Sequence, residues 1–273
     1  MPQLLSDLRC ALRRASRVAM LTALLAASGA ALAAGAACTA HSPAHRVALV
    51  ELYSSEGCNS CPPADRWLGQ QKDLGAAAGF VPLALHVDYW NDLGWTDRFS
   101  HHHFTERQQS LTDRAGGHTI YTPEVFVAGR ELRSWSRQET FASRVQSVNA
   151  QPSPADIALQ LKPAQGAFDV DAQFKSRDAA AADLNAYIAV YENALVSQVR
   201  AGENTGATLH HERVVREWIG PVPLKQGAAQ IQRHVATNAI DANAPAERFG
   251  VAAFVENAAT GDVLQAADLA ACN

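Results

Sequence analysis

The stretch Glu51 to Asp65, ELYSSEGCNSCPPAD, decides how the first half of the chain is read. It completes the apolar run Val47 to Tyr53, VALVELY, whose β-branched composition suits a strand buried on both faces. It then sets Cys58 and Cys61 with two residues between them, ahead of Pro62-Pro63. A proline ring clashes with the carbonyl four residues back once both residues are helical. For Pro63 that carbonyl belongs to Asn59, so a helix starts after Asn59 and Ser60 is a suitable N-cap. Cys58 is then expected just outside the helix and Cys61 in its first turn. A helix N-terminus carries roughly +0.5 charge and unpaired N–H groups. Cysteines in such C-x-x-C settings have pKa values of about 3.5–7.5 instead of about 8.5. This predicts Cys58 as an exposed nucleophile and Cys61 as the resolving thiol. The same spacing also serves an inert disulfide or a metal clip, although no second C-x-x-C is present to complete a four-cysteine zinc site.

Outward from this motif, strands alternate with helices. Asp65 to Ala78 reads as a helix with Trp67, Leu68, Gln71 and Leu74 on one face, stopped at Gly79. Phe80 to Val87 reads as a second buried strand, with Pro82 marking an edge or a start. Ser100 caps a polar helix through about Arg114, Glu124 to Ala128 is a short strand, and Arg137 to Val148 is helical. This is the pattern of a βαβ unit and an α/β domain. Gln151-Pro152-Ser153-Pro154 marks a change of style. Beyond it Ile157, Leu159 and Leu161, then Phe168, Val170 and Phe174, alternate with period two. Leu184 to Tyr191, Leu209 to Trp218, Ile231 to Val235 and Arg248 to Glu256 continue the series. Short strands separated by turns predict a β-sandwich. The expected organisation is an export signal over 1–33, an α/β domain over 34–151 and a β-sandwich-like domain over 152–273.

The export signal rests on Arg9, Arg13, Arg14 and Arg17 ahead of the apolar run Val18 to Leu32, with Ala31-Leu32-Ala33 as an A-x-A cleavage pattern. A cleaved signal implies a periplasmic or secreted protein with no membrane anchor. Its removal takes four arginines and Asp7, moving the formal net charge from −4 to −7. An acidic chain without basic clusters argues against a nucleic-acid partner. Cleavage also removes Cys10 and leaves Cys38, Cys58, Cys61 and Cys272. In an oxidising compartment four cysteines point to two disulfides with three possible pairings. The economical set is Cys58–Cys61 and Cys38–Cys272.

Strand, C-x-x-C, helix, strand, then Tyr121-Thr122-Pro123 before another strand resembles the thioredoxin superfamily. The resemblance implies an α/β thioredoxin-like domain, a cis peptide bond before Pro123, and Thr122-Pro123 beside the cysteines contacting a substrate backbone. The stretches VELYSSEGCNSCPPAD, LALHVDYWNDLGW, YTPEVFVAG, GENTG and ERVVREW resemble a bacterial family of secreted, thioredoxin-like proteins, the domain-of-unknown-function family 1223. Glu51 matches the buried acid of superfamily oxidoreductases, one residue further from the first cysteine than usual. Gly57 stands where an aromatic residue usually precedes that cysteine.

The main functional expectation is therefore thiol–disulfide exchange with protein thiols or disulfides. Cys58, Cys61, Pro123 and Glu51 would be the chemical residues, and Thr122, Tyr89 and Trp90 the substrate contacts; no cofactor is required. The alternatives are a metal-handling protein using Cys58, Cys61 and His86, since soft thiolates favour Cu(I), and a disulfide-stiffened binding protein presenting the aromatic loop Tyr89 to Trp95. His86 and Asp88 stand on one face of an extended chain as candidate proton or metal groups. His101-His102-His103 and His210-His211 are poor metal sets, because adjacent residues point in different directions.

Overall fold

The computed structural model describes residues 36–72, 79–178 and 183–272. In chain order its elements are β1 (Cys38–His41), β2 (Ala48–Ser54), α1 (Pro62–Gln71), β3 (Phe80–His86), α2 (His102–Arg114), β4 (Glu124–Val127), β5 (Arg130–Glu131), α3 (Gln138–Asn149), β6 (Ala155–Ala164), β7 (Ala167–Ser176), β8 (Leu184–Glu192), β9 (Leu195–Gln198), β10 (Thr208–His211), β11 (Val214–Pro223), β12 (Ala228–Val235), β13 (Phe249–Asn257) and β14 (Val263–Ala270). The expected export signal, 1–33, and the end of the expected first helix, 73–78, lie outside the described residues. Among the described residues, no helix is long and apolar enough to cross a membrane.

β2 and β3 pair in parallel from Ala48↔Phe80 to Ser54↔His86, and both are buried along their whole length. Strand alternation divides their side chains between two cores. Val50 and Leu52 pack with Ala64 and Leu68 of α1 and with Phe141 and Val145 of α3. Leu49 and Tyr53 face the other way, onto Phe104 and Leu111 of α2.

The expectation of an α/β thioredoxin-like domain followed by a separate all-β domain is corrected by the sheet order. Strand outweighs helix, and one eight-stranded sheet runs β14-β13-β8-β11-β3-β2-β4-β5. The later strands thus extend the sheet that carries the C-x-x-C. A four-stranded sheet, β1-β6-β7-β12, covers the β14-to-β11 half, with Ile157, Leu159 and Phe174 against Ile188, Val190 and Val251. The described residues form one compact unit. The physical reason lies in β8 and β13, which are buried on both faces over nearly their whole length. Strands of that kind need cover on two sides. One side is given by the four-stranded sheet. The other is the core under α2, where Tyr187, Tyr191 and Phe254 join Leu49 and Tyr53.

Two covalent and ionic ties cross this architecture. Cys38 and Cys272 form a disulfide, with Cα atoms 6.0 Å apart, joining β1 to the segment after β14. Arg107 of α2 is buried. Its Nε donates to Glu51 of β2 at 2.6 Å and its Nη1 to Glu256 of β13 at 2.9 Å. The guanidinium also lies 4.8 Å over the Trp218 ring. Burial alone would depress the Arg107 pKa, but the two carboxylates hold it well above its ordinary value. Removing one partner of a buried ion pair costs about 3–5 kcal/mol, because the other charges stay buried and uncompensated. Arg107→Met is expected to lower unfolding stability by about that amount in urea titration. An unchanged urea midpoint would show that the cluster contributes nothing net.

Candidate functional site

After β2 the chain wraps through two tight turns. Cys58 N donates to Ser55 O at 3.2 Å and Cys61 N to Cys58 O at 3.2 Å. α1 then begins at Pro62 with Cys61 as its N-cap residue, and the Cys61 carbonyl accepts from Ala64 N at 2.8 Å and Asp65 N at 3.1 Å. The two prolines thus start the helix one residue later than expected, so Cys61 sits at the cap and not in the first turn. Ser60 does not cap the helix. Its hydroxyl lies 3.2 Å from Cys58 Sγ and 3.4 Å from the Thr122 carbonyl oxygen. Cys58 and Cys61 form a disulfide with Cα atoms 5.5 Å apart. Both are 0% exposed, whereas an exposed Cys58 was expected.

The cover comes from three directions. The Thr122–Pro123 peptide is cis, and the Thr122 carbonyl oxygen is 3.7 Å from Cys58 Sγ. Trp90 Nε1 donates to Thr122 Oγ1 at 2.8 Å. A Cβ at position 57 would come within 3.1 Å of the Trp90 Cβ, so Trp90 packs where a larger residue before Cys58 would stand. The loop between β9 and β10 closes the remaining side. Asn204 Nδ2 donates to both the Glu56 and Cys58 carbonyls at 2.9 Å, and Glu203 accepts from Asn59 N at 3.1 Å. The GENTG stretch is therefore a lid on the disulfide loop. Tyr89 and Tyr121, 36% and 38% exposed, are large side chains open to solvent on the segments that carry Trp90 and Thr122.

Cys58, Cys61, Thr122, Pro123 and Trp90 are thus brought together, while Glu51 is not. It stands on the α2 face of β2, bound to Arg107 and accepting from Tyr53 Oη at 3.3 Å, whereas α1 lies on the opposite face. Asp88 is also elsewhere, accepting from Thr105 Oγ1 at 2.6 Å and lying 2.9 Å from His102 Nδ1 at the start of α2.

The buried acids on the α1 side are Glu56, Asp65 and Asp97, none of which the sequence reading singled out, and between them lie His86 and His211. Asp97 Oδ2 lies 2.7 Å from His86 Nδ1 and accepts from Glu56 N at 2.9 Å. Ser54 Oγ donates to Asp65 Oδ1 at 2.8 Å. His211 Nε2 is 3.3 Å from Glu56 and Nδ1 is 3.6 Å from Asp65. Burial alone would depress His86, but the Asp97 carboxylate outweighs it and the pKa is pushed up to about 9. Burial raises Asp65, with the two imidazoles opposing. Asp97 is held below the usual carboxylate range by His86 despite its burial. The expected metal set of Cys58, Cys61 and His86 does not assemble. Among the described residues, the side chains that converge with ligand spacing are Asp65, His86 and His211. The signals for them were faint: Asp65 read only as the first residue of a helical stretch, and His211 as half of an alternating pair.

The chain belongs to the family described as protein of unknown function DUF1223, matched over residues 49–256. A crystal structure of a protein from Agrobacterium tumefaciens is 23% identical over 82% of this chain and 95% of that one, with a TM-score of 0.58. HBP35 of Porphyromonas gingivalis is 15% identical over 84% of this chain and 76% of its own, with a TM-score of 0.61. At these identities the likeness is one of fold. No curated protein matches the chain.

Glu124, directly after the cis-proline, is a further buried acid whose pKa is pushed up to about 7. Burial is the main cause, and a hydrogen bond from Gln108 Nε2 at 2.6 Å opposes it. Between its ordinary value of 4.5 and about 7 the folded chain keeps a proton that the unfolded chain has released. This contribution to stability is therefore lost as pH rises through that window and is constant above it. Melting temperatures of wild type and Glu124→Gln across that range are expected to diverge in the variant's favour as pH rises. Parallel curves would show that Glu124 ionises normally.

Proposed function

We propose that this DUF1223 protein exchanges thiols and disulfides with protein partners in an exported, oxidising compartment, using Cys58 and Cys61 as the reactive pair. The observation that carries the reading is a C-x-x-C disulfide at the N-cap of α1, with the carbonyl of a cis-proline loop 3.7 Å from Cys58 Sγ. This local arrangement is also what resembles the thioredoxin superfamily. Two intact disulfides fit an exported protein.

In the oxidised protein a substrate thiolate attacks Cys58 Sγ. A substrate–Cys58 disulfide forms, the Cys58–Cys61 bond breaks, and Cys61 leaves as a thiolate. A second substrate thiolate then attacks the substrate sulfur of the mixed disulfide and releases Cys58. Two electrons pass from substrate to protein, and the reverse sequence oxidises the protein's dithiol. The positive end of the α1 dipole stabilises the Cys61 thiolate. Thr122, Trp90 and Tyr89 are the surfaces offered to the incoming chain. Because Cys58 is buried, exchange requires the Asn204 loop to move aside.

The test is equilibration of the purified protein in glutathione buffers, with each cysteine resolved by mass. A Cys58–Cys61 potential between about −270 and −120 mV supports exchange, whereas one far below about −300 mV marks an inert structural disulfide. Asn204→Ala removes two hydrogen bonds to the disulfide loop. It is expected to speed reduction by dithiothreitol about thirtyfold, since each of the two hydrogen bonds contributes roughly 1 kcal/mol. A rate equal to wild type would remove the lid from the proposal.

A further inference from the structure

We propose that Asp65, His86 and His211 form a binding site for a divalent transition-metal ion of the zinc type, independent of the exchange reaction. The three come from α1, β3 and β10 and all are buried. One ligand atom from each lies within 4.8 Å of the others. The separation of His211 Nδ1 and Asp65 Oδ2, 3.6 Å, is near the edge of a tetrahedron whose ligands stand about 2.0–2.1 Å from zinc, which is about 3.3 Å. The imidazoles are set nearly at right angles, 81°, with ring centres 5.0 Å apart.

The polar atoms that face one another here lack partners. His86 Nε2 and His211 Nδ1 are buried without a hydrogen bond. Buried groups of this kind are ordinarily satisfied, and an unpaired one is costly. The surrounding shell is built as a metal's outer shell is. Ligating histidines commonly turn their far nitrogen to a carboxylate, which fixes ring orientation. Here His86 Nδ1 lies against Asp97 at 2.7 Å, and His211 Nε2 faces Glu56 at 3.3 Å. Ser54 occupies Asp65 Oδ1, leaving Oδ2 for the ion. Three carboxylates thus converge on two imidazoles out of contact with water. A divalent cation supplies the missing positive charge and uses the orphaned nitrogens. Two imidazoles and a carboxylate, without thiolate, favour zinc or another borderline divalent ion over Cu(I).

The test uses the full-length, oxidised protein stripped with a chelator. It is titrated with Zn2+ by calorimetry and with Co2+ by visible absorption. One equivalent of Zn2+ and the absorption of tetrahedral Co2+ are expected. Asp65→Asn and His211→Gln should weaken Zn2+ binding at least about 100-fold, and Asp97→Asn about 10–100-fold. Cys58→Ser/Cys61→Ser and the exposed His101→Gln/His102→Gln pair should leave it unchanged. Because the thiols are absent from the site, the inference survives failure of the exchange reaction. Should the ligand variants not fold, anomalous scattering at the zinc edge from wild-type crystals grown with Zn2+ decides by locating the ion. No binding by folded wild type, an ion located elsewhere, binding indifferent to Asp65 and His211, or binding lost with the cysteines or the exposed histidines would overturn it.

Discussion

The joint between β3 and β11 is the constraint on which the rest of the molecule depends. The two strands meet in parallel at a single pair, Val214↔Ala84, just beyond Pro82, which has no N–H to offer a ladder. Arg213 makes up the difference. Its carbonyl accepts from Ala84 N at 2.9 Å, its Nε donates to Pro82 O at 3.0 Å, and its Nη2 donates to Asp268 at 2.7 Å. The guanidinium also sits 4.0 Å over the Tyr191 ring. Arg213 has a φ of 59°, a conformation that costs a non-glycine residue of order 1–3 kcal/mol and persists only where its surroundings fix it. Here the surroundings are a strand end, a buried ion pair and an aromatic ring.

That joint makes one sheet out of what the sequence presents as two styles of strand. It also sets β10 so that His211 lies beside His86 at the end of β3, and it lets the β9–β10 loop reach the Cys58 carbonyl. The lid over the disulfide and the buried histidine cluster are therefore consequences of one connection. Arg107 fastens the opposite side of the sheet in a similar way, joining β2 to β13 through two carboxylates. Both arginines are buried with their charges paired. In a low-dielectric interior that pairing fixes the register of the elements that carry the partners, whatever its net contribution to stability.

Much of the disulfide loop was legible because it depends on local chemistry. The two prolines limit where α1 begins, and the C-x-x-C spacing closes a small ring. Tyr121-Thr122-Pro123 precedes its strand as expected, with the cis bond in place. The cap was misplaced, since Ser60 finds Cys58 and Thr122 and leaves the capping position to Cys61. Glu51 shows a deeper limit. Period two places it opposite Leu52, but nothing local says which face of β2 receives α1. Only packing reveals that Glu51 belongs to Arg107. His210 and His211 do alternate, as the period requires, and burial then selects His211 alone.

The sequence by itself determined the strand and helix pattern around the C-x-x-C, and the cysteine count made Cys58–Cys61 with Cys38–Cys272 the economical pairing of three. These follow from apolar patterning, backbone sterics and spacing, which act over a few residues, whereas the cis bond before Pro123 was implied by the resemblance to the thioredoxin superfamily. The tertiary structure decided that the chain makes one extended sheet and not an α/β domain followed by a separate sandwich. It also decided that the disulfide is covered, and that Asp65, His86 and His211 meet. Each of those depends on residues over 100 positions apart being brought together by strands buried on both faces. Apolar patterning shows that such strands must be covered, but it does not say by what.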